Sequence, residues 1–277
     1  LGLGALLASG TQAAFGQEAT AYTWENATEL SLVATGGNAS SSTLGLKGTL
    51  IGTAAANTFK LEIGGVRGST TFRTLTATGT VGSFVVNEEK ESQLTAESFF
   101  ARGRYDRSFG VAFGFTGAGW DRNTFAGIQN RYAFVVGLGK SWVESETSRF
   151  KTDIGATYTI QKDVEPAPGA NDAFGGFRIS VDAMRQVTEA AQITSVLAVD
   201  ENVEETDDFR VDWVNALSVS LSERLAFKTS LQLLYDRQPS LLSVPLFGNG
   251  GIPTGRNVLT PGEEVDSVLT LTLVIKL

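Results

Sequence analysis

Ser267-Val268-Leu269-Thr270-Leu271-Thr272-Leu273-Val274-Ile275-Lys276-Leu277 carries a large apolar side chain at every second position. Side chains i and i+2 of a strand share a face, so Leu269, Leu271, Leu273, Ile275 and Leu277 form one aliphatic stripe, backed by Thr270, Thr272 and Lys276. A strand with a purely aliphatic front and a polar back suits a barrel wall that faces lipid.

The same alternation recurs upstream in segments close to the roughly 10 residues that a tilted membrane strand needs. Stripes run through Leu225, Phe227, Leu231, Leu233 and Tyr235, through Phe209, Val211, Trp213, Leu217 and Val219, and through Ala191, Ile193, Leu197 and Val199. Further stripes are Phe177 with Ile179, Val181 and Ala183, Phe150 with Ile154, Tyr158 and Ile160, Tyr132 with Phe134, Val136 and Leu138, and Phe109 with Val111, Phe113 and Phe115. Weaker segments lie at 94–100, 59–65, 44–50 and 30–34. The reading is all-β: a transmembrane antiparallel up-and-down β-barrel of about 12 strands, closed by pairing of the last strand with the one near Leu30.

Link lengths test the count. The links expected on the periplasmic side, at 52–57, 103–107, 143–148, 186–190 and 222–224, are all short. The long ones, at 67–91, 162–173 and 237–264, all fall on the extracellular side, as an even-stranded barrel with both termini periplasmic requires. Aromatic residues stand where strands would enter the interface, with Phe109, Trp142, Phe150 and Phe227 towards the turns and Tyr132, Phe209 and Tyr235 towards the loops.

Composition removes other classes. After the N-terminus there is no run of about 18 apolar residues, so helical spans are excluded. With neither cysteine nor histidine, disulfide frameworks, thiol nucleophiles, the usual zinc sites and His-dependent hydrolysis are excluded. No catalytic residue, cofactor or metal ligand is assigned. A net charge of −8 disfavours nucleic acid. The acidic loop clusters around Glu88, Glu204 and Glu263 lack EF-hand spacing and read as solvated charge. Residues 1–8, with small residues through Ala13, Ala14 and Gly16, have the pattern of a truncated signal peptide, giving 1–20 as leader and 21–277 as barrel.

Stepping one residue from each stripe gives the inner face. Its lumen candidates are Lys47, Lys60, Glu62, Glu97, Arg131, Lys151, Asp153, Arg178, Asp182, Arg210, Asp212 and Lys228, with Glu29, Asp200, Asp236 and Lys276 beside them. Charges of both signs in similar number fit a ladder of cross-strand pairs and argue against strong ion selectivity; a structural charge network and a narrow conducting lumen both remain open. Glycines between Gly110 and Gly119 alternate along a strand, where they make room inside the barrel. Leu241, Leu242, Val244, Leu246 and Phe247 give the last loop an apolar patch, a candidate contact for a partner protein, lipopolysaccharide or a neighbouring loop.

Glu29-Leu30-Ser31-Leu32-Val33-Ala34-Thr35-Gly36-Gly37-Asn38 resembles the opening strand and turn of the YdiY-like salt-induced outer-membrane proteins, a family of undetermined function. Trp120-Asp121-Arg122-Asn123-Thr124-Phe125-Ala126-Gly127-Ile128 with Arg131-Tyr132, and Tyr235-Asp236-Arg237-Gln238-Pro239, are similar to later segments of that family. Gln129 stands where the family commonly carries Asp, and Leu277 where outer-membrane barrels usually end in Phe. The resemblance implies an outer-membrane barrel in contact with membrane lipid and lipopolysaccharide, and implies no activity.

Overall fold

The computed structural model describes residues 21–35, 39–80, 83–166, 169, 171–248 and 251–276. The strands are β1 (Thr23–Thr35), β2 (Ala39–Ala54), β3 (Asn57–Thr80), β4 (Ser83–Phe109), β5 (Ala112–Asn123), β6 (Ile128–Glu144), β7 (Ser148–Asp163), β8 (Ala173–Gln186), β9 (Ala191–Asn202), β10 (Phe209–Ser220), β11 (Leu225–Asp236), β12 (Leu241–Phe247), β13 (Pro253–Pro261) and β14 (Val265–Lys276). Twelve of them close a barrel in chain order, β1 to β11 and then β14, every pair antiparallel. Closure is made by β14 against β1, with Leu30 opposite Leu273 and Ala27 opposite Lys276. The seam pairs Ala27–Leu30 with Leu273–Lys276, and over that stretch it removes the free edges that a β-structure in lipid has to avoid. The leader expected at 1–20, the turn at 36–38 and Leu277 lie outside the described residues.

The aliphatic stripes face outward. Leu269, Leu271, Leu138 and Leu32 are exposed, Leu269 at 71%, while Val274 and Thr272 on the opposite face of β14 are buried. Along β6 the exposed residues alternate from Tyr132 through Phe134, Val136 and Leu138 to Trp142. Polar groups on this outer face bond one another: Trp142 Nε1 donates to Thr152 Oγ1 at 2.9 Å, and Trp213 Nε1 to Ser195 Oγ at 3.0 Å, which in turn pairs with Asn215 Oδ1 at 2.9 Å.

Three sequence expectations change. The link placed at 103–107 is strand: β4 continues to Phe109 and turns at Gly110, whose φ of 69° lies in the left-handed region that glycine adopts without Cβ strain. The loop placed at 67–91 is instead the upper part of β3 and β4, which pair up to Thr80 and Ser83 with one register shift at Gly68/Ser69. At 24 and 27 residues these strands are more than twice the length that crosses a membrane, so they rise well past their neighbours. Within 237–264, β12 and β13 form a two-stranded sheet that is not part of the barrel sheet.

Two facing assignments are reversed, one by the moved turn and one by an irregularity in β4 where pairing with β3 skips Thr95. Phe109 ends β4 and pairs with Ala112, so Phe113 and Phe115 do not share its face. They point inward, at 5% and 4% exposure. In β4 the inward residues are Phe100, Arg102, Arg104 and Asp106, and Glu97 takes the outward side, where Arg122 Nε approaches it to 4.0 Å near the loop end.

Candidate functional site

Most of the charged side chains lie on the inner face, and contacts between strands that are not neighbours identify what crosses the lumen. Arg104 on β4 donates from Nη2 to Asp153 Oδ2 on β7 at 2.9 Å, past the two intervening strands, and from Nε to Asp106 Oδ1 at 2.9 Å. Its guanidinium lies 3.9 Å from the ring centroid of Phe115 and 5.9 Å from that of Phe113, a cation–π arrangement that favours a fixed, planar cation.

Glycines make the wall on which these rings lie. A Cβ at Gly139 would collide with the Phe113 ring, and one at Gly137 with the carbonyl oxygen of Ile154 and, at 2.8 Å, with Phe115. Gly155 would meet Phe115 at 3.1 Å and Gly117 would meet Val135 at 3.1 Å. The sequence therefore lines the inner face of β5, β6 and β7 with glycine, lays two phenyl rings on that surface, and stacks an arginine on the rings.

On the far wall, Lys228 of β11 reaches over β14 to both oxygens of Glu29 on β1, at 2.9 and 3.0 Å. Beside this pair is a cavity of about 180 Å³ at the turn end, lined by Gln192, Ser218, Ser220 and Lys276 among others. Towards the loops, Gln161 Oε1 accepts from Arg131 Nε at 2.6 Å and from Arg210 Nη1 at 3.3 Å, while its Nε2 donates to Asp163 at 2.8 Å. Arg131 Nη2 also approaches Asp236 Oδ2 across the lumen to 4.0 Å. These contacts bridge β6 and β7 to β10 and β11, making a second crossing nearer the loop end.

Other inner charges find partners along the wall. Lys47 and Lys60 both contact Glu62, at 2.7 and 3.0 Å. Arg178 forms a bidentate pair with Asp200, 2.8 Å at each contact, and Asp212 accepts from Gln232 at 2.8 Å. Lys151 does not pair with Asp153 or Asp182; it contacts Glu144 at 3.0 Å, and Asp182 is taken by Arg149 at 3.0 Å. Arg102, which joins Asp121 at 2.7 Å, together with Arg104, Asp106, Arg149 and Gln161, is absent from the sequence-derived set. The alternation Arg102-Gly103-Arg104-Tyr105-Asp106 was a strand signal hidden by placing a turn there.

In the described set, Leu242, Leu246 and Phe247 are exposed on the β12–β13 hairpin, with Leu241 and Val244 half-buried. Glu97 stands apart from the other lumen candidates, on the outer face.

A search of curated proteins finds no match. Among solved structures, the chain is similar to an anion-selective porin from Comamonas acidovorans, at 11% identity and TM-score 0.38, covering 93% of this chain and 100% of that one. It is similar to an outer membrane channel from Pseudomonas putida F1, at 8% identity and TM-score 0.43, with 95% and 97% covered. The translocator domain of the autotransporter NalP from Neisseria meningitidis gives 10% identity and TM-score 0.42, with 93% and 88% covered. A family model described as "Protein of unknown function, DUF481" matches residues 28–241, and the chain belongs to that family.

Proposed function

We propose that this protein is a bacterial outer-membrane barrel with both termini on the periplasmic side, acting as a passive envelope protein whose partly occluded lumen admits only small solutes or ions. The observation that carries this reading is the Arg104–Asp153 bridge on its glycine-and-phenylalanine wall, which spends lumen width on a fixed crossing. Twelve strands lie between the eight that side chains fill completely and the sixteen that leave an open channel, so such crossings set the bore. Inner charges of both signs, paired at 2.7–3.0 Å, support weak ion selectivity. Lipid and lipopolysaccharide are the surroundings expected of the exposed apolar wall. The likeness of 29–38 and 120–132 to the YdiY-like proteins supports the same placement.

In planar bilayers the purified protein gives channel steps well below those of an open porin, with little preference for cations or anions. The absence of steps at every voltage would remove the conducting part of this reading, and wide porin-like steps would remove the occlusion.

A second reading is an interaction role for the loops. It is favoured by the β12–β13 hairpin, which stands outside the barrel sheet and exposes Leu242, Leu246 and Phe247 to a partner protein or surface component.

A further inference from the structure

The outer wall is not uniformly convex. At its turn end, where β7, β8 and β9 begin or finish, a groove of about 360 Å³ is lined by Val143, Phe150, Ala183, Arg185, Ile193 and Ser195 among others. Register places Phe150 beside Ala183 and Ala183 beside Ser195, and one rung nearer the turn it places Ser148 beside Arg185 and Arg185 beside Ile193. The floor is therefore built from two small side chains and the flanks from Phe150 and Ile193, both exposed. The hydroxyl of Ser195 is already bonded to Trp213 and Asn215, so the floor presents no unsatisfied polar group to a hydrocarbon chain.

Arg185 closes the groove on the turn side. It is exposed on the lipid-facing side of β8, and among the described residues no acidic side chain forms an ion pair with it. An unpaired guanidinium is ill placed against hydrocarbon but well placed at headgroup depth, where it offers parallel N–H donors to a phosphate. Trp142 on β6, which neighbours β7 on the other side of the groove, with Lys140 3.9 Å from its ring, marks that depth as the interface.

We infer that this groove is a binding site for an anionic glycerophospholipid of the leaflet at the turn end, one acyl chain lying over Ala183 and Ser195 and the phosphate held by Arg185. The inference rests on the membrane placement proposed above.

Its test is native mass spectrometry of the full, delipidated chain, titrated with phosphatidylglycerol and phosphatidylcholine, after insertion has been checked by heat-modifiable migration. Phosphatidylglycerol binds more tightly than phosphatidylcholine. Arg185→Glu removes that preference, a loss of about fivefold for one interfacial cation, and Arg185→Lys keeps most of it. Ala183→Leu, which fills the floor, weakens both lipids alike. Equal binding of the two lipids by the unaltered protein, an unchanged preference in Arg185→Glu, or preference for lipid A over phosphatidylglycerol overturns the inference. A chain that inserts in no bilayer overturns the membrane placement and, with it, this site.

Discussion

Leu271→Arg destabilises the folded barrel in lipid by about 2–4 kcal/mol, the cost of an arginine near the bilayer midplane on an outward-facing strand position. Leu271 sits near the middle of β14, exposed on the aliphatic face between Leu269 and Leu273. Thr270, one residue away, faces the lumen opposite Ser230, and Thr270→Arg costs roughly 1 kcal/mol or less because water and lumen acids can solvate the new charge. Reversible urea unfolding in lipid vesicles measures both. The tenfold or larger difference in folding equilibrium between neighbouring positions has no origin in β-propensity and comes only from the facing of the strand.

Arg104→Ala raises single-channel conductance several-fold. The substitution removes the side chain that spans β4 to β7 and uncovers Phe113 and Phe115, while the glycine wall beneath them stays in place. It also leaves Asp153, whose side chain is 9% exposed, without its cation. Breaking a fully buried pair costs about 3–5 kcal/mol. Arg104 itself is 32% exposed to a wet lumen, so a loss of roughly 1–2 kcal/mol is expected here. Asp153→Ala in the same chain recovers part of that loss, because the uncompensated charge is then gone, and keeps the wider bore. Conductance that stays at the unaltered level in Arg104→Ala would show that the bore is set elsewhere, at the Arg131–Gln161–Arg210 crossing.

The barrel was legible because lipid and lumen impose opposite demands on alternate residues. Leu269 to Ile275, Tyr132 to Leu138 and Phe177 to Ala183 carry that alternation, and their facing in the structure follows it. The misreading around Phe109 has a specific physical origin. Phe109, Val111, Phe113 and Phe115 are all odd-numbered aromatics or aliphatics, so the pattern runs without interruption through the turn at Gly110 and Val111. Such a turn pairs Phe109 with Ala112 and sends the next odd residue, Phe113, to the other side. One misplaced turn therefore put Phe113 and Phe115 outside and hid Arg102 and Arg104. The irregularity in β4 that skips Thr95 between Leu94 and Ala96 sends Glu97 to the outer face, against a stripe read straight through 94–100.

The pairing of lumen charges was less legible, because alternation fixes the face a residue occupies but not its reach. Lys151 and Asp153 share a face on β7, yet Asp153 is claimed by Arg104 three strands away and Lys151 by Glu144 across the turn. Lys228 likewise bypasses its rung partner Thr272 for Glu29. The β12–β13 hairpin was hidden for another reason. Pro245, Pro253 and Pro261 disfavour a central strand, but a two-stranded ribbon has only edges and tolerates them.

The chain contains no cysteine, so a single one introduced at each position from 268 to 275 is the only thiol in the protein. Labelling each variant in lipid vesicles with a membrane-impermeant thiol reagent and, separately, with a bilayer-resident quencher of an attached fluorophore reads lumen against lipid directly. We expect strict alternation: Leu269, Leu271, Leu273 and Ile275 quenched from the bilayer and slow to label, Val268, Thr270, Thr272 and Val274 unquenched. Quenching that does not alternate along β14, or that falls on the threonines, would contradict the lipid-facing barrel.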